Sequence, residues 1–292
     1  MAALDLPTPL VSTEWLAQHL GDERLVVVDA SVLGISTPAG SRWLSGLDEY
    51  LIGGHIPGAV FADLLEEFSD PDGRFAFTRP SLERLSRAAR ELGIDDGVAV
   101  VVYDSSIGHW AARLWWLLAA AGFEPVAVLD GGLTRWRAEG RALDTGFEVP
   151  RAAGELTLGH VDGFWAEIDE VRRIVDGASD AALVCALSPA DFRGETGTRE
   201  RRGHIPRSVN VPVGSLVDRE TRTHLHGPAL HERVAPATTA GASRIVVYCG
   251  GGIAAAGTGL ALRRAGHADV AVYDGSLDEW ATDPELPLTT LD

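Results

Sequence analysis

The chain of 292 residues contains no lysine; all 25 of its basic residues are arginine. That absence excludes a Walker-type phosphate loop, a pyridoxal Schiff base and a lysine nucleophile. Cysteine is almost as scarce. Cys185 and Cys249 are too few for a disulfide framework or a four-cysteine zinc site, so a reducing, cytoplasmic setting is expected. Met1 to Leu10 hold neither a basic patch nor an apolar core, and no signal peptide is expected. The longest apolar stretch, near Leu114 to Gly122, is too short to span a bilayer. Positive charge is in deficit too: 25 basic against 42 acidic residues give a net charge of −17. Such a surface repels phosphate backbones and anionic lipids, so neither nucleic acid nor membrane is expected as a partner.

What is present is an ordinary globular composition, 46% hydrophobic and 23% charged, at about twice the usual domain length. The sequence also repeats itself. Gly54-His55-Ile56-Pro57-Gly58-Ala59-Val60 answers Gly203-His204-Ile205-Pro206-Arg207-Ser208-Val209. Val101-Val102-Tyr103-Asp104 answers Val246-Val247-Tyr248-Cys249, and Leu129-Asp130-Gly131-Gly132-Leu133 answers Tyr273-Asp274-Gly275-Ser276-Leu277. A tryptophan follows each of those aspartates, at Trp136 and Trp280. Matched landmarks in matched order imply duplication.

Short β-branched runs read as buried strands over 25–29, 98–103 and 126–129, and in the second half over 182–186, 244–248 and 269–273. Helical stretches fall over 12–20, 81–92 and 110–121, then 166–175 and 255–265. Ser12 or Thr13 and Ser81 are candidate N-caps, and Gly122 and Gly266 candidate stops. Strands alternating with helices imply mostly parallel sheets covered on both faces. Arg141 to Gly163 lacks any period and reads as a linker. The expected fold class is α/β in two similar domains, 8–145 and 160–288.

In open parallel sheets ligands bind where strands end and helices begin. Cys249 sits at such a point, followed by Gly250, Gly251 and Gly252 and then by Ile253, Ala254 and Ala255. Glycine amides there can converge on one atom, and the following helix adds its positive end. Both effects favour a thiolate nucleophile. The plainer reading is a buried inert cysteine before a glycine turn. A cysteine phosphatase needs an arginine about six residues on to clamp phosphate oxygens, and Ala255 stands there instead. The remaining chemistry is attack on a sulfane sulfur, giving a persulfide cradled by backbone amides.

The paired His-Ile-Pro segments, Trp110-Ala111-Ala112-Arg113-Leu114-Trp115-Trp116, the Leu129 to Leu133 run and the Cys249 loop together resemble the tandem-domain rhodanese family. These are the thiosulfate and 3-mercaptopyruvate sulfurtransferases, and the resemblance runs from about Thr8 to Pro287. It implies two rhodanese-like domains, the C-terminal one active and the N-terminal one silent, in keeping with Asp104 at the cysteine position. It further implies a small anionic sulfur donor, a thiol or cyanide acceptor, a possible protein sulfur acceptor, and no cofactor or metal.

The loop is nearer the Cys-Gly-Ser-Gly-Val-Thr-Ala of mercaptopyruvate enzymes than the Cys-Arg-Lys-Gly of thiosulfate enzymes. It lacks both hydroxyls, at Gly251 and Ala254. Asp191 stands where the family has a donor-reading arginine, leaving Arg193 and Arg199 as candidate donor-binding residues, with Arg201 and Arg202 nearby. The family resemblance also makes His55 a candidate at the inter-domain cleft, although its repetition as His204 suggests a structural hydrogen bond. His109 and Trp110 are expected on the cleft's opposite wall. His224, His226 and His231 read as a solvated loop rather than a metal cluster. Cys185 is either a small buried hydrophobe or a thiol able to resolve a persulfide on Cys249. A non-catalytic sulfur carrier or binding module on the same fold is the alternative function.

Overall fold

The structure is a computed structural model that describes residues 4–7, 9–37, 40–197, 199–238 and 241–291. Thr8, the expected start of the first domain, lies outside the described residues. The first half runs β1 (Leu10–Val11), α1 (Thr13–His19), β2 (Leu25–Asp29), β3 (Val32–Thr37), β4 (Gly40–Ser45), β5 (Val60–Phe61), α2 (Leu82–Glu91), β6 (Ala99–Tyr103), α3 (His109–Ala120), β7 (Val126–Leu129) and α4 (Gly132–Ala138). The second runs β8 (Trp165–Ala166), α5 (Ile168–Val175), β9 (Ala182–Cys185), α6 (Pro189–Arg193), β10 (Ser208–Asn210), α7 (Gly227–Val234), β11 (Ile245–Tyr248), α8 (Ile253–Arg264), β12 (Val270–Tyr273) and α9 (Ser276–Trp280).

Each half forms a five-stranded sheet, ordered β1-β7-β6-β2-β5 and β8-β12-β11-β9-β10, with parallel neighbours throughout. The two orders are the same order, which is the duplication in three dimensions. The central strands β6 and β11 are buried at every residue, as strands covered on both faces must be. Ser12 and Ser81 cap α1 and α2 by accepting the N–H groups of Trp15 and Arg84. The stretch 141–163 holds no helix or strand. Among the described residues no helix is long and apolar enough to cross a membrane.

The copies differ in one respect that bears on function: among the described residues, only the first carries the antiparallel β3–β4 hairpin. They meet along α3 and α8, whose buried residues belong to one apolar cluster. The helices approach so closely that a Cβ on Gly259 of α8 would fall 2.8 Å from the Trp116 ring of α3. The Trp116 indole N–H reaches across to the Phe164 carbonyl at 3.2 Å.

Candidate active site

Cys249 directly follows β11, and the chain turns through three glycines into α8. Gly252, at the helix N-cap, has φ +82°, a left-handed conformation that glycine adopts without a Cβ penalty. The loop is pinned from β12's side. The Leu277 N–H donates to the Cys249 carbonyl (3.2 Å) and the Asp278 N–H to the Gly250 carbonyl (2.9 Å). The Cys249 N–H donates to Ser276 Oγ at 3.1 Å, and that hydroxyl donates to the Tyr273 carbonyl at 2.7 Å. Ser276 holds φ +49°, where the other copy has Gly132 at +54°. The repeat alignment contained this Gly-to-Ser exchange as a signal that sequence reasoning did not use.

The first copy shows what such a loop does with an anion. Gly108 caps α3 at φ +82°, as Gly252 caps α8. The Asp104 carboxylate, in the cysteine's place, accepts N–H groups from Ser106 (2.8 Å), Gly108 (3.0 Å), Trp110 (2.9 Å) and Ala111 (3.0 Å). Four amides therefore converge on one negatively charged group at the head of a helix. Asp104 is buried, and His224 of the second domain covers the loop so closely that a Cβ at Gly108 would fall 2.7 Å from its Cε1.

The second loop opens instead onto a cavity of about 420 Å³ lined by Cys249, Gly250, Gly251, Ile253 and Ala254. Gly252 and Ala255 do not line it; both are buried beneath, where only their backbone amides bear on the cradle. The first domain supplies the facing wall: Trp43 from the β3–β4 hairpin, with Ala76, Phe77, His109 and Trp110. The Trp43 and Trp110 rings meet edge to face at 5.3 Å, and Phe77 and Trp110 at 5.2 Å. His109 and Trp110 thus lie where they were expected. Burial lowers the His109 imidazole below its ordinary pKa, opposed by the nearby Asp104 carboxylate.

Arg199, Arg201, Arg202, Asp191 and Asp278 are the charged residues of the lining. Arg199 Nε donates to Asp278 Oδ1 at 2.9 Å, and its Nη2 to the same oxygen. Arg201 is held by the Asp283 (2.6 Å) and Leu286 (2.5 Å) carbonyls. Asp191 accepts from the hydroxyls of Ser188 and Thr196. Arg193 does not reach the cavity; it lies on the surface in an ion pair with Glu195. The expectation that it binds donor is corrected: it is the last residue of α6, where the helix stops at Gly194.

His55 is likewise corrected. It is fully buried away from the cavity, stacked on Tyr50 at 3.9 Å with Nδ1 3.0 Å from the Tyr50 carbonyl. His204 repeats the arrangement on Phe192, at 3.7 Å and 2.7 Å. The solvated-loop reading of the other histidines also fails in part. His224 is buried, its backbone N–H donating to Asp130 Oδ1 at 2.7 Å, and His226 Nε2 lies 3.2 Å from Asp130 Oδ2. Among the described residues no cluster of His, Cys, Asp or Glu could hold a metal ion. Cys185 pairs in register with Tyr248, one residue before Cys249, and its side chain belongs to the apolar cluster on the opposite face of the sheet. Burial pushes its thiol up to about 12. It is the small buried hydrophobe of the two readings.

Comparison with known proteins agrees with the geometry. The family described as Rhodanese-like domain matches residues 12–139 and again 164–283. A 3-mercaptopyruvate sulfurtransferase of Escherichia coli is 33% identical over 288 residues, covering 96% of this chain and 98% of its own. A thiosulfate sulfurtransferase of Azotobacter vinelandii is 33% identical over 240 residues, 80% of this chain and 85% of its own. The crystal structure of SseA from Escherichia coli superposes with a TM-score of 0.80 at 31% identity, covering 92% of this chain and 98% of that one.

Proposed function

The chain belongs to the rhodanese family, in two copies of the domain, and from that premise we propose a sulfurtransferase that works through a persulfide on Cys249. The Cys249 thiolate attacks the outer sulfur of a small anionic donor. With thiosulfate the S–S bond breaks and its electron pair leaves with sulfite. With 3-mercaptopyruvate the C–S bond breaks, and the thiol proton ends on the methyl carbon of pyruvate. Either way the cysteine gains one sulfur atom. A thiol or cyanide acceptor then takes that sulfur as a persulfide or as thiocyanate, returning the electron pair of the S–S bond to Cys249.

The observation that carries this reading is the loop's own twin. Asp104 holds a carboxylate on four amides at 2.8–3.0 Å. The Cys249 loop repeats the N-cap geometry with a sulfur in that place and a cavity above it. Amides of residues 250–255 would stabilise the charge on the outer sulfur as it forms, the kind of preorganised contribution that is usually the largest in such sites. Arg199, over Gly250, is the donor-binding cation. The first copy, residues 8–145, is silent in chemistry and contributes the aromatic wall. Two free thiols and the net charge of −17 support a reducing, cytoplasmic setting with small-molecule or protein-thiol partners rather than nucleic acid or membrane. Incubation with donor followed by intact-mass measurement tests the reading: the wild type gains one sulfur atom and Cys249→Ser does not. An undiminished gain in the variant would overturn it.

A further inference from the structure

Gly250 and Gly251 both have ordinary negative-φ or extended backbones, so what glycine provides there is room. A Cβ at Gly250 would fall 2.7 Å from Arg199 Nη2, and one at Gly251 would fall 2.8 Å from Asp278 Oδ2. The Arg199–Asp278 ion pair therefore lies directly on the bare backbone of the cysteine loop, in space a side chain would fill. Asp278 is also tied to that loop through its N–H on the Gly250 carbonyl. The pair therefore lies beside the path of a donor that reaches the loop.

The charges around Cys249 are closely balanced. Arg199 is shared with Asp278, Arg201 is engaged by backbone carbonyls, Asp191 is acidic, and Arg202 is exposed. A donor arriving over Gly250 meets a guanidinium already half neutralised, with a carboxylate beside it. The cost of that carboxylate scales with the donor's charge, so a dianion suffers about twice the repulsion of a monoanion.

We propose that Asp278 is a specificity-determining residue: by sharing Arg199 above the Cys249 loop, it tunes the cavity to singly charged sulfur donors, such as α-keto-thiol carboxylates, and against dianionic thiosulfate. This rests on Cys249 being the sulfur-accepting residue. The test compares second-order rate constants for loading sulfur onto the full chain from thiosulfate and from 3-mercaptopyruvate, followed by intact mass. Asp278→Asn raises the thiosulfate-to-mercaptopyruvate ratio roughly two- to fivefold, a magnitude set by a partly exposed charge screened by solvent. Asp278→Glu keeps the wild-type ratio. Asp278→Ser carries the same expectation as Asn, should the amide disturb the loop. A ratio that stays put in both neutral variants, or moves towards mercaptopyruvate, overturns the role of Asp278 while leaving Cys249 untouched. A wild type that loads from neither donor removes both readings together.

Discussion

Arg113 of the first domain donates to Asp274 of the second at 2.7 Å, with the arginine 2% and the aspartate 12% exposed. Asp130, the same position in the other copy, is held in turn by His224 and His226 of the second domain. The repeated aspartate at the end of β7 and β12 thus reaches across the interface in both directions, each time to a different cation-forming partner. Burial raises Asp130, but the hydrogen bonds from His224 and His226 outweigh it and hold the carboxyl at about 2.

Removing one member of a buried pair strands the other, so Arg113→Met should cost about 3–5 kcal/mol. It also frees the Phe77 carbonyl, which Arg113 Nη2 holds at 2.6 Å, and so loosens the cavity's aromatic wall. Urea denaturation followed by tryptophan fluorescence measures the loss. A change below about 1 kcal/mol, the range of exposed pairs, contradicts the account.

The first copy's loop should resist conversion to a working one. Asp104→Cys supplies a thiol in the equivalent frame, yet the loop is roofed by His224 where the Cys249 loop faces a cavity. In a Cys249→Ser background this variant should gain no sulfur from either donor. It should also lose on the order of 3 kcal/mol of stability, because charge-assisted bonds to buried amides are given up. Sulfur loading at residue 104 would show that occlusion is not what silences this copy.

Asp29 carries a pH signature. It is 1% exposed, accepts the Ser31 N–H at 2.9 Å, and is pushed by burial up to about 6 from an ordinary 3.8. Because its folded-state value is raised, the unfolded chain releases the proton first. Stability therefore falls as pH rises from about 4 to about 6 and is level above that. Asp29→Asn removes this dependence, giving on the order of 2–3 kcal/mol at pH 7.5 and little at pH 4. Melting curves at the two pH values decide it; an equal shift at both would contradict the assignment.

Much of the architecture was legible because its signals are local. The central strands 99–103 and 245–248 announce themselves as β-branched runs, and the capping serines sit where α1 and α2 begin. The edge strands β1, β5, β8 and β10, two or three residues each, are too short to show a period and are defined by their neighbours' hydrogen bonds. The β3–β4 hairpin has no counterpart among the described residues of the second half, so the repeat carries no signal of it. At the site, a cysteine followed by three glycines is visible in one dimension. The Arg199–Asp278 pair is not: its members are 79 residues apart. The same holds for His224 over Gly108. The sequence offers Arg193 and Arg199 alike and cannot separate them, since spacing along the chain says nothing about which way a surface side chain leaves a short helix; only Arg199 lines the cavity.

The close crossing of α3 and α8 has a consequence for how the molecule can be divided. Trp116 fits against Gly259 because no side chain stands there, and Trp43 and Trp110 roof a thiol that belongs to the other half. Neither half carries its own replacement for these surfaces. Severed at the connecting stretch, one fragment would display a row of indoles and the other an uncovered sulfur on a helix of alanines and glycines. What began as two copies of one unit has become a single body, in which the half without the thiol supplies one wall of the chamber over it.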